Sequence, residues 1–147
     1  MLKKSNQKGF TIIEVLIVLA IAGLIMLIVF LAVPALQRNS RNSQRTSDAS
    51  RISAAVTECL ANRNGVKTSC AASGDISVGT LSQLSVPATF SDAAATDLGT
   101  GSTSAVVIGY QRKCTTDGSN DQAGSARDFA IMYQLEPSVN RCIGSEG

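Results

Sequence analysis

The sequence predicts an α+β chain, with one long N-terminal helix whose C-terminal half packs on a small antiparallel β-sheet. Three observations predict it. The 24 residues from Phe10 to Val33 contain 21 of the 65 apolar residues of this 147-residue chain, and no charge follows Glu14 before Arg38. No Gly or Pro interrupts Ala35 to Asn64, where Ala49, Ile52, Val56, Cys59 and Leu60 recur at spacings of three and four, the period of a one-sided helix. Asp128–Glu136 alternates instead, placing Phe129, Ile131, Tyr133 and Leu135 on one face of a strand.

Residues 1–9, MLKKSNQKG, are short and basic. The apolar block that follows makes a helix of about 36 Å at 1.5 Å per residue, enough to cross a bilayer core of about 30 Å with some tilt. A secretory signal peptide shares that outline, but the run exceeds a usual h-region and no clear A-x-A site follows, Ala32-Val33-Pro34-Ala35 being a poor one. Glu14 is the odd residue, because a carboxylate inside a membrane helix is costly unless it is paired or near an end. It is either tolerated at headgroup level by the helix dipole or met by a positive charge.

Lys8-Gly9-Phe10-Thr11-Ile12-Ile13-Glu14-Val15-Leu16-Ile17-Val18 resembles the class III signal of type IV pilins and of the pseudopilins of type II secretion. The resemblance covers residues 3 to about 33. It implies cleavage by a prepilin peptidase between Gly9 and Phe10, and N-methylation of Phe10. It also implies that Glu14 neutralises the Phe10 ammonium of a neighbouring subunit during assembly. Cleavage removes Lys3, Lys4 and Lys8 and shifts the formal charge from +2 to −1. The implied fold is the ladle-like pilin fold. The implied partners are further copies in a helical homopolymer, the peptidase, an inner-membrane assembly platform and membrane lipid before assembly. DNA or a host surface would be met by the filament.

The domain plan is then a cleaved leader at 1–9, a transmembrane and filament-core helix at 10–34, its amphipathic continuation at 35–62 and a globular head at 63–147. Pro34 lacks an N–H donor and is expected to kink or loosen the helix. Gly23 is a packing notch or merely a tolerated small residue. Arg38, Arg41 and Arg45 share one helical face. They are expected at phospholipid headgroups or in ion pairs with the heads of neighbouring subunits, since 9 acids face 6 bases after Arg51.

Cys59, Cys70, Cys114 and Cys142 contain no C-x-x-C pair, so disulfides in an extracytoplasmic head are favoured over a zinc site or free thiols. Three connectivities are open. The favoured one is local: Cys59–Cys70 would clamp the helix end to the following loop, and Cys114–Cys142 would tie a strand end to the C-terminus. Ala71–Ser104 reads as a long connection with one helical turn at Thr80–Leu84. Ser104–Cys114 and Asp128–Glu136 form an antiparallel hairpin across the turn-rich TTDGSNDQAGS, and further strands are not legible. Asp117-Gly118-Ser119-Asn120-Asp121 offers oxygen ligands but lacks the ordered calcium-loop pattern, so a solvated turn is expected.

With no His in the chain, a Ser-His-Asp hydrolase and a His-ligated zinc enzyme are excluded, and no nucleophile–base pair stands out. No enzyme activity, cofactor or metal is expected. The expected function is structural: the major subunit of a type IV pilus, or alternatively a pseudopilin of type II secretion. Its location would be a single-pass inner-membrane protein with an extracytoplasmic head, then an extracellular filament.

Overall fold

In a computed structural model the structure describes residues 9–87, 90–91 and 98–145. The expected leader lysines Lys3, Lys4 and Lys8 lie outside them. The contacts divide the chain into two compact units, Met1–Arg38 and Asn39–Gly147.

The first unit is helical. Helix α1 spans Ile12–Asn62 with Pro34 inside it, and every residue from Gly9 to Ser40 is exposed. By length and composition it is the one helix among the described residues able to cross a membrane.

In the second unit, α1 buries Arg45, Asp48, Ala49, Ile52, Ala55, Val56 and Cys59 along one face. The spacing continues the expected apolar stripe backward onto two charged residues. The helix ends in a Schellman turn: Gly65 N–H donates to Leu60 O at 2.7 Å and Asn64 N–H to Ala61 O at 3.4 Å, with Asn64 at φ 54°. Asn tolerates that left-handed position better than most residues, which explains why an uninterrupted helical pattern stops there.

A three-stranded antiparallel sheet of order β1-β4-β5 comprises β1 Val107–Tyr110, β4 Phe129–Leu135 and β5 Val139–Gly144. Its register pairs Ile108 with Ile131 and Met132 with Cys142. β2 Arg112–Cys114 and β3 Asp121–Ala123 form a separate antiparallel pair. The expected hairpin therefore differs in two ways. Ser104–Cys114 breaks at Gln111, whose φ of 59° lets the chain leave one sheet and enter the other. The turn-rich connection contains a strand, β3. Short lengths beside β1 add parallel bridges at Ser85–Ala105 and Ser91–Gly109.

The alternation of β4 does not mark a half-exposed strand, because Phe129 to Tyr133 are all buried. Ile131 and Tyr133 join Ile52, Val56 and Ile108 in the core between helix and sheet. On the β4 backbone the chain near Gly101 passes so close that a Cβ there would lie 2.5 Å from Met132 O. A glycine is required at that crossing.

Thr80–Leu84 is not a helical turn. The N–H groups of Ser82, Gln83 and Leu84 instead donate to one oxygen of the buried Asp48 carboxylate, at 2.9, 2.6 and 3.1 Å. A charge taken out of water requires such donors, and this loop supplies them.

Candidate functional site

The N-terminal end of α1 is built by its own first residues. Thr11 precedes the helix and Glu14 is its third residue. Glu14 Oε2 accepts the Thr11 N–H and hydroxyl, both at 2.8 Å, while Thr11 Oγ1 accepts the Glu14 N–H at 3.4 Å. The sequence Thr-Ile-Ile-Glu is thus a reciprocal capping box, which satisfies two N–H groups a helix start leaves without partners. Glu14 Oε1 accepts no hydrogen bond among the described residues. The side chain is therefore held at one oxygen and open at the other.

Among the described residues, apolar side chains surround this cap. Phe10 is 89% exposed, and with Glu14, Val15, Val18 and Leu19 it lines a shallow hollow. Among the described residues nothing lies within 4 Å of the space a side chain at Gly9 would occupy.

Of the three arginines expected to face headgroups or other subunits, two turn inward. Arg41 forms a bidentate pair with Glu136 at 2.9 and 2.7 Å. Arg45 is 4% exposed, reaches the same carboxylate at 2.8 Å and donates to Thr103 O at 2.9 Å. Asn42, between them, donates to Glu136 O at 3.0 Å and accepts its N–H at 2.9 Å. The two guanidinium groups, Arg41 foremost, push the Glu136 carboxyl down to about 2. Arg38 is exposed and unpartnered among the described residues.

The four cysteines form Cys59–Cys70 and Cys114–Cys142, with Cα separations of 6.1 and 5.5 Å, ordinary for the bond. Beside the second, Arg112 and Asp121 make a buried ion pair whose acid also accepts the Leu98 N–H. In the Asp117 turn the carboxylate is engaged by its own Ser119 and Thr115, which hold it at about 2. No group of three or more potential metal ligands converges among the described residues.

Residues 4–30 match the family described as prokaryotic N-terminal methylation motif. The chain carries the class III signal of type IV pilins and pseudopilins. Over this stretch the chain is similar to type IV pilins and pseudopilins, and the motif implies prepilin peptidase processing and pilus assembly. Together with the apolar helix it fits membrane anchoring before assembly. No curated protein and no solved structure matches the chain. The cap and most of the exposed apolar surface fall inside the matched stretch, and the disulfide-bonded unit falls outside it.

The sequence pattern located Glu14 but not its Thr11 partner, although T-x-x-E ahead of an apolar run is itself a helix-start signature. It also missed Asp48. The available signal was position, since residues 45 and 48 extend the 49, 52, 56 stripe by one turn.

Proposed function

We propose that this chain is the major structural subunit of a type IV pilus, stored in the inner membrane and polymerised through its N-terminal helix into a surface filament. The observation that carries the reading is the isolated carboxylate at the head of an exposed apolar helix, fixed by Thr11 at one oxygen and unengaged at the other. After cleavage between Gly9 and Phe10, the methylated Phe10 ammonium of a neighbouring copy is the partner chemistry requires. An opposite charge in an apolar surround selects one register, and the flanking side chains then lose their contact with lipid to one another.

Prepilin peptidase, the assembly platform and other copies are its partners in this reading. Adhesion, twitching motility and DNA uptake are activities of the finished filament. The two disulfides suit a head exposed outside the cell.

Mass spectrometry of the mature chain tests processing: an N-methyl-Phe10 start with four hydrogen atoms lost to two disulfides is expected, and an uncut N-terminus overturns it. Electron microscopy of the producing cell tests the role. Long fibres that vanish on deletion support the pilus, whereas intact fibres with failed protein export replace it with a pseudopilin.

A further inference from the structure

At the C-terminal end of α1 a groove of about 500 Å3 opens between the helix and the start of β4. Leu60, Ala61 and Phe129 line it with apolar atoms beside Thr57, Asn64 and Arg127. Arg127 is exposed and has no ion pair or hydrogen bond among the described residues. The volume lies in the range that holds a short peptide turn or small ligand, about 300–1,000 Å3.

An acid of matching character stands at the far end of the β2–β3 hairpin. The turn Thr115–Asn120 exposes Thr116, Asp117, Ser119 and Asn120. Asp117 Oδ2 accepts the Ser119 hydroxyl at 2.6 Å and Oδ1 accepts the Ser119 N–H at 3.2 Å, so the carboxylate is fixed in place. No cation pairs with it among the described residues. Among the described residues, the other exposed acids of this unit present no such projection: Glu58 adjoins Thr57 on the helix, and Asp75 lies in a 3₁₀ turn where it accepts the Ala72 N–H.

We propose that the β2–β3 turn of one copy seats in the Arg127 groove of the next, with the Asp117 carboxylate received by the Arg127 guanidinium. The inference rests on the filament reading and adds a head-to-head contact to it. The two halves sit at opposite ends of one hairpin, the turn after β2 and the loop after β3, so a copy does not satisfy itself. Each copy keeps one unused half after pairing. Such a heterologous contact leaves an open end for the next subunit, as a helical filament requires. A carboxylate already immobilised loses little freedom on docking, which favours this turn over a flexible acid.

The full-length chain, expressed in its producing cell with its own assembly machinery, provides the test. Arg127→Glu and Asp117→Lys are each expected to lower the yield of sheared filament about tenfold by setting like charges together, and the double variant to restore it to within about threefold. Arg127 is exposed and makes no hydrogen bond among the described residues, so the melting temperature of detergent-solubilised Arg127→Glu should stay within about 3 °C of wild type, whereas Asp117→Lys also gives up the Ser119 bonds of its own turn. A second measurement does not depend on fibres. Arg127→Lys/Asp117→Asn is co-expressed with wild type and treated with a zero-length carbodiimide. A peptide joining positions 127 and 117 then arises only between copies.

Filaments without that peptide, singles at wild-type yield, or a double no better than its singles overturn the contact and leave the filament reading standing. The cross-linked peptide without fibres supports the contact and removes the pilus. Absence of both overturns the two together. Should a charge-reversal variant unfold, the cross-link alone decides.

Discussion

Between Gly9 and Ser40 every residue of the helix faces outward, and Leu16, Leu24, Phe30 and Leu31 are each at least 60% exposed. Twelve and sixteen residues further along the same helix Ile52 and Val56 are fully buried, and among the described residues no buried side-chain nitrogen or oxygen lacks a hydrogen-bond partner. The difference separates two ways of reaching stability. The second unit satisfies its buried charges internally, down to Asp48 and Arg45. The first leaves a continuous apolar surface far larger than a water-soluble monomer tolerates, so its burial is intermolecular, in lipid or against other copies. Damage to the first unit should therefore appear in processing and assembly, and damage to the second in folding.

The largest effects fall on the first unit. Gly9→Val should leave an uncut precursor by intact-mass measurement, and a mature mass would take the cleavage site away from Gly9. Glu14→Ala should be cut normally yet yield no ordered fibres. Normal fibres built from Glu14→Ala alone would remove the assembly role of that carboxylate.

In the second unit, Cys114→Ser/Cys142→Ser opens a loop of 29 residues and should cost about 3.5 kcal/mol by chain entropy. Ile52→Ala should cost about 3 kcal/mol through lost burial and the cavity left behind. Both are read by thermal unfolding with processing at Gly9 unchanged. An uncut Ile52→Ala chain that still folds would break the division of labour between the units.

The smallest effect is one of pH. The folded Glu136 carboxyl lies below its ordinary value of 4.5, so its stabilising contribution is present above that value and is lost as pH falls toward about 2. Glu136→Gln should flatten the acid limb of the stability curve between those values, measured as the difference from wild type. An identical acid limb in both proteins would mean that the Arg41–Glu136–Arg45 cluster contributes nothing to folding.

What the sequence made legible was governed by distance along the chain. Local period revealed α1 and β4, since Ile52, Val56, Phe129 and Ile131 announce their faces within a few residues. β5, reading VNRCIG, is an edge strand of partly exposed residues and offers no such rhythm. β3 hides because Asp121 is buried for its ion pair with Arg112, so a charge stands where the pattern expects an apolar side chain. Arg41 and Arg45 resemble surface charges because their partner, Glu136, lies more than ninety residues away. A periodic pattern reports which face of an element is covered, and a long-range ion pair leaves no periodic trace.

The Asn42 amide meets the N–H and C=O of Glu136 as a neighbouring peptide group would. Mechanically, this splices the helix into the turn between β4 and β5. Tension entering along α1 at Arg41 is shared at once with two strands bonded along their length, before it reaches Ile52 or the Cys59–Cys70 bond.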